Sequence, residues 1–345
     1  MNKRAFEIQF NWVFVLIAGA VILIFFTALV VRQKSVSESS SNAAVLNSID
    51  AIITGASVTT SVAKLENIPK SNIEISCNRI SIGSASKQYQ NLILFAPGMI
   101  EGDKLDWQTM PFSAPYRAAN LLYITSPKAR YIIITDTANK NIALEINKSM
   151  SAIITKEFYE ISTVSTPLQI INKNNYKVRL IIFGFNPPDS YLSHLQDMQD
   201  SDVTAVRIDG NINVGFSRFF QKNGNTWANS GTSAYVGKPA IMGAVYSDTL
   251  ENYKCNIRNA FSRLKLLSEI YIKRTQSLAK NYPNPDCENS YKIALPSLMS
   301  LNQTSYLIFR AASLDRGNAD KIQSAAKTLS DDNKALQKFS CPLIY

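Results

Sequence analysis

The chain has 345 residues, with 36 Lys and Arg against 26 Asp and Glu, a formal net charge of +10 and 46% hydrophobic residues. Such a hydrophobic content is normal for a packed chain and excludes intrinsic disorder. The basic excess comes with no RNP-like, zinc-finger or helix-turn-helix signature, so no nucleic-acid partner is expected.

From Trp12 to Val31 no residue is charged. At ~1.5 Å per residue, such a run forms a helix that matches a hydrocarbon core of about 30 Å. A secretory apolar region is usually only about 7–15 residues long, and no clear A-x-A cleavage site closes this one. We therefore read 1–10 as a cytoplasmic leader and 11–31 as a permanent transmembrane anchor whose partner is the lipid bilayer. Lys3 and Arg4 precede the span and Arg32 and Lys34 follow it, so the positive-inside signal is nearly balanced. The four cysteines all lie beyond the span, and an even set suits two disulfides in an oxidising space. The sequons at Asn147 and Asn302, as candidate glycosylation sites, fit the same side. The expected topology is a cytoplasmic amino terminus with the main domain outside the cell membrane. Lys3-Arg4-Ala5 before a long apolar helix also looks like an archaeal class III signal. Cleavage after Ala5 puts Glu7 second in the mature chain, whereas the type IV pilin pattern has glutamate fifth, where Phe10 stands here.

Residues 32–63 read as a spacer and stalk helix. The serine-rich stretch 33–42 predicts a spacer, after which Ser41 or Asn42 caps a helix. Val45, Leu46, Ile49, Ile52 and Ile53 then recur at helical spacing, and Gly55 is a natural stop. Residues 64–237 read as an external α/β domain. Glu74 to Ile82 alternates like a strand with one buried face and carries Cys77 within it. Strands are predicted at Asn91–Phe95, Tyr131–Thr135, Val178–Phe185 and Val203–Ile208. The uninterrupted apolar runs at 131 and 178 suit burial on both faces. Helices are predicted at Tyr116–Ile124, Asn139–Met150 and Asp189–Met198, the last opened by Asn186 and Pro187. A hairpin turns at Asn223-Gly224. Residues 238–345 read as a helical subdomain. Tyr253, Ile257, Phe261, Leu264, Leu267 and Tyr271 form an amphipathic stripe on 251–280, and helical patterns follow at 289–314 and 318–338. The expected fold class is α/β: an N-terminal transmembrane helix, a mainly parallel or mixed sheet with flanking helices, then a C-terminal helical subdomain.

Motifs for catalysis fail one after another. His194 is the only histidine, and no G-x-S-x-G or H-E-x-x-H supplies it with a nucleophile or a zinc site. Gly231 to Pro239 has five residues between its glycines and proline after Lys238, so it fails as a phosphate loop and reads as an ordinary loop. No cofactor motif is present. One acidic constellation remains. Asp136, Asp189 and Asp209 each follow a predicted strand, and parallel strands would bring them to one carboxyl edge, where oxygen ligands can hold Mg²⁺ or Ca²⁺. Each also suits a helix cap or a turn.

The cysteines allow three pairings. An up-down-up arrangement of the tail helices brings Cys287 and Cys341 to one end, leaving Cys77 for Cys255. If 289–314 is two antiparallel helices instead, Cys255–Cys341 becomes the better pair.

Three stretches, FEIQFNWVFVLIAGA at the start, Pro111–Pro127 and Met242–Cys255, together resemble uncharacterised archaeal membrane-anchored proteins with one N-terminal transmembrane helix and an external α/β domain. The resemblance implies the address and no activity. The expected function is a single-pass cell-envelope protein that displays a disulfide-braced ectodomain for binding or structural contact, not an enzyme. Residues 250–280 carry seven Lys or Arg and two Glu, a composition that suits an acidic glycan, an acidic envelope protein or anionic headgroups as partner, or simply a solvated face. The alternatives are an envelope hydrolase or transferase using the acidic edge, and a minor pilin-like subunit.

Overall fold

The structure is a computed structural model that describes residues 3–59, 62–90, 92–161, 170, 175–282 and 284–345. Its first element is one helix, α1 (Lys3–Val58). Over Trp12–Val31 its side chains are exposed and apolar on nearly every side, the pattern of a helix solvated by lipid. Among the described residues it is the one helix long and apolar enough to cross a membrane. Farther along, Val45, Ile49, Ile52 and Ala56 form a single buried stripe. The expected spacer at 33–42 is helical instead, and neither Ser41 nor Asn42 starts a new helix. No Gly or Pro interrupts this stretch, Lys34 and Glu38 face each other one turn apart at 3.9 Å, and a break would require a second nucleation. Asn42 instead lies against the Gly83 turn, where a Cβ would meet its Nδ2 at 2.7 Å.

The buried stripe covers a six-stranded sheet in the order β3-β2-β1-β5-β6-β4. Its strands are β1 (Ala63–Ser76), β2 (Arg79–Ile82), β3 (Ala85–Gln88), β4 (Leu94–Phe95), β5 (Met99–Ser113) and β6 (Arg117–Thr125). All pairs are antiparallel except β4 with β6. This sheet corrects three expectations. Glu74–Ile82 is a hairpin, β1 to β2, with Cys77 in its turn and Asn78 at φ 60°. Asn91 of the expected strand Asn91–Phe95 lies outside the described residues, and of the rest Leu94–Phe95 form the strand. Tyr116–Ile124 is a strand, not a helix. Ala119, Leu121 and Tyr123 face one core while Leu122 and Ile124 face the other, so pairing with β5 overrides the helix-forming Ala-Ala-Asn-Leu-Leu run.

The second sheet runs β12-β11-β10-β9-β7-β8. It contains β7 (Ala129–Asp136), β8 (Thr155–Ile161), β9 (Lys177–Phe183), β10 (Val203–Gly210), β11 (Val214–Asn223) and β12 (Thr226–Val236). β8, β7, β9 and β10 are parallel; β11 and β12 add as an antiparallel hairpin closed beside Gly224. The core strands are buried on both faces, as their apolar runs require. Ile133, Ile181 and Phe183 face the large core that also holds α2 (Lys140–Ser149), while Ile132, Ile134, Leu180 and Ile182 face Tyr191 and Leu192. The helix expected over Asp189–Met198 is only a 3-10 turn, Asp189–Leu192, entered from Pro188. Asn186 accepts from Arg207 Nη1 at 3.0 Å rather than capping. Gly231–Pro239, expected as a loop, is strand β12 running into α3 (Gly237–Tyr246).

Helix α3, buried along nearly its whole length, contributes to the core shared by both sheets. Then follow α4 (Leu250–Asn281), α5 (Pro285–Ala311, with Pro296 inside) and α6 (Arg316–Lys338). The up-down-up run places Cys287 beside Cys341, with Cα atoms 5.7 Å apart and bonded. Cys77 is bonded to Cys255 with Cα atoms 5.9 Å apart, tying the first sheet to α4.

Candidate functional site

The polar centre of the molecule lies at Ser247–Thr249, the corner between α3 and α4. The Asp248 carboxylate accepts from the Gly98 amide with both oxygens, at 2.9 and 3.0 Å, and from Lys177 Nζ at 2.7 Å. The Lys177 and Asp248 side chains are only 4% and 7% exposed, so each charge depends on the other. Gly98 precedes β5, Lys177 opens β9, and Asp248 closes the α3 corner; one carboxylate therefore fastens both sheets to the helices. Arg179, two residues along β9, is also buried. It donates to the carbonyls of Ala244 at 2.8 Å and Ser247, occupying the free carbonyls at the end of α3 where a cation is favoured. Its guanidinium lies 5.4 Å from the centre of the Phe219 ring. Burial pulls Arg179 down to about 10, with Asp248 acting in the opposite sense, so it stays charged at neutral pH.

Alongside, α4 presents asparagines at 252, 256 and 259. Asn252 Nδ2 donates to Ala96 O at 3.0 Å, Asn256 Oδ1 accepts from Leu94 N at 2.7 Å, and Asn259 Nδ2 donates to Leu92 O at 2.7 Å. These side chains pair the outer edge of β4 as a neighbouring strand would, which closes an exposed sheet edge. The Cys77–Cys255 bond lies in the same stretch of α4.

Two cavities flank the corner and share Gln221, Asp248 and Thr249. The larger, about 580 Å³, is walled by Ser230, Leu250, Lys254, Cys255, Arg258 and Ala312 among others. The smaller, about 370 Å³, is lined by Glu101, Lys177, Ser201, Asp202 and Thr204, and Thr204 Oγ1 is buried there without a partner. A third buried polar group lies elsewhere between the sheets. Asp106 is fully buried, accepts from Ser151 Oγ at 2.9 Å and leaves Oδ2 unpartnered. Burial pushes its carboxyl up to about 6, with Ser151 and Lys156 pulling the other way.

The sequence-derived aspartates lie elsewhere. Asp136 and Asp209 do end parallel strands at one carboxyl edge. Asp136 Oδ1 accepts from the amide and side chain of Asn139, both at 2.8 Å. A Cβ on Gly184 would come within 2.5 Å of Asp136 Oδ2 and Asn139 Nδ2, so the mouth between β7 and β9 is filled by these side chains. Asp209 is paired to Arg207 at 2.7 Å, and Asp189 accepts from Trp227 N at 3.0 Å. Among the described residues no three His, Cys, Asp or Glu side chains are grouped to hold a metal ion. His194 is exposed. Asn147 is half-buried on α2, and Asn302 Nδ2, the nitrogen a glycan would take, donates to Lys265 O at 2.8 Å.

Sequence reading missed Lys177, Arg179, Asp248 and the asparagine ladder. Two signals were available: charges at alternate positions in the doubly buried strand KVRLIIF, and asparagines at i, i+4 and i+7 on the apolar side of a long helix. No protein-family model, curated protein or solved structure matches the chain in the three comparisons.

Proposed function

We propose that the chain is a single-pass membrane protein with a cytoplasmic amino terminus, that it displays its two-sheet and helical domain on the outer face of the cell membrane, and that it works by binding an envelope partner rather than by catalysis. The observation that carries this reading is α1. One helix is exposed and apolar over Trp12–Val31 and buried against the first sheet from Val45 to Ala56. The 13 residues between Val31 and Val45 span 14 helical steps, a rigid arm of about 21 Å. Two disulfides support an oxidising compartment. The cavities beside the Asp248 corner, set on strands and a long helix, are the preformed surface on which a partner can act. The test is photo-crosslinking in intact cells from a reactive residue at Gln221, on the shared cavity wall. A reproducible envelope partner that is lost when the probe is moved to Lys321 on α6 is the expected outcome. Turnover of a small molecule by the purified chain would contradict it.

A pilin-like subunit is the second reading, and the unbroken course of α1 from anchor to sheet favours it. Such a helix lets several copies bundle through their apolar halves while the domains stay outside. Intact mass decides between the two: a mature chain beginning at Phe6 supports the subunit, and an uncleaved leader supports the permanent anchor.

A further inference from the structure

We propose that the 580 Å³ cavity beside Cys77–Cys255 is a binding site for a small ligand that carries an oxyanion, carboxylate or phosphate, on a short apolar body. The inference deepens the binding reading above and rests on it. Lys254 and Arg258 stand four residues apart on α4, so their side chains share one helix face, and both line the cavity. Neither has an ion-pair or hydrogen-bond partner among the described residues, and Arg258 Nε is buried without an acceptor. A buried guanidinium N–H with no acceptor is costly to leave unmade. Nε and a neighbouring Nη present two parallel donors, the geometry that an oxyanion accepts side-on. Two like charges at this spacing also repel, and an anion between them relieves the repulsion.

The opposing charges on the same wall are Glu251 and Asp248. Asp248 is engaged by Lys177 and Gly98, which leaves Glu251, exposed, against two free cations. The rest of the wall is Leu250, the disulfide and Ala312, with hydroxyls from Ser230 and Thr249. This composition gives the ligand a short aliphatic body. The lining includes no aromatic side chain, so it lacks the platform on which sugar rings usually stack. The walls belong to β11, β12, α4 and the end of α5, and the Cys77–Cys255 bond fixes one side, so the site is preformed.

The experiment titrates the full chain, in detergent micelles, with butyrate, butyl phosphate, inorganic phosphate and butylammonium by calorimetry. Butyrate or butyl phosphate is expected to bind at least about tenfold more tightly than butylammonium or inorganic phosphate. Whichever of the two binds tighter identifies the oxyanion. Arg258→Gln and Lys254→Gln are each expected to weaken that binding by about tenfold, while Lys273→Gln leaves it unchanged. If a Gln variant fails to fold, the parent still decides: mass mapping of phenylglyoxal modification should show Arg258 protected by butyrate or butyl phosphate and not by butylammonium. Equal binding of butylammonium, no binding of either anion, or unchanged affinity in both Gln variants overturns the proposal. Because the purified chain is used, failure here is separate from failure of the membrane topology.

Discussion

Replacing Asp248 with alanine is the most exacting perturbation of the fold described here. It removes the carboxylate paired to Lys177, whose side chain is 4% exposed, and leaves it the Ser201 carbonyl at 3.5 Å. It also takes both acceptors from the Gly98 amide. Breaking a buried pair from one side costs about 3–5 kcal/mol, and an orphaned amide adds about 1–3 kcal/mol. Since the two losses overlap, Asp248→Ala is expected to destabilise by about 4–6 kcal/mol. Lys177→Met combined with Asp248→Ala removes both charges and leaves only the amide orphaned, so the double variant should recover about 2–3 kcal/mol of that loss. The assay is urea unfolding of the full chain in micelles, followed by circular dichroism and near-ultraviolet fluorescence at constant pH. Asp248→Ala costing less than about 1 kcal/mol, or a double variant less stable than the single one, would refute the assignment of this pair as the clamp between the sheets.

Three further outcomes follow from named contacts. Asp106 titrates near 6 in the fold against an ordinary value of 3.8, so its stabilising contribution is complete below about pH 4 and is lost as pH rises through about 6. Asp106→Asn should therefore be more stable than the parent by about 3 kcal/mol at pH 7.5 and equal to it at pH 4, as read by unfolding at both pH values. Cys287→Ser with Cys341→Ser opens a link of sequence separation 54, and Cys77→Ser with Cys255→Ser one of 178. Chain entropy sets losses of about 4 and about 5 kcal/mol, measurable as reduced unfolding midpoints. Ser39→Pro lies in α1 between the apolar stretch Trp12–Val31 and the part buried on the first sheet and should break the arm at a local cost of about 3 kcal/mol. Limited proteolysis should then cut near residue 39 while the domain keeps the parent's unfolding midpoint.

Elements with one unambiguous period were legible in the sequence. YIIIT and VRLIIF have no helical stripe and proved to be doubly buried strands, and the three tail helices show their apolar faces at three- and four-residue steps. What misled was local preference. The 116–124 segment is rich in helix formers yet sits between two sheet neighbours, β5 and β4, that no local signal reveals. The serine-rich arm looked like a linker because its helicity comes from the helical segments on either side. Cys77 looked like a strand residue because the alternation continues across the hairpin turn at Asn78. The site was less legible still. Lys177 and Asp248 are 71 residues apart, and although the apolar run after Lys177 marks a buried strand, no local pattern around Asp248 names it as the partner. The aspartates chosen by strand ends were placed on the correct edge for 136 and 209, but local partners engage them there.

The central claim is that α1 crosses the membrane and holds the folded domain outside the cytoplasm. The direct measurement is protease treatment of intact cells that carry an epitope tag before Trp12 and a second at the carboxyl terminus, after Tyr345. The account predicts that external protease destroys the carboxyl-terminal tag and the domain while the amino-terminal tag and the 11–31 segment remain protected. Protection of the carboxyl-terminal tag in intact cells, with loss only after permeabilisation, would contradict it.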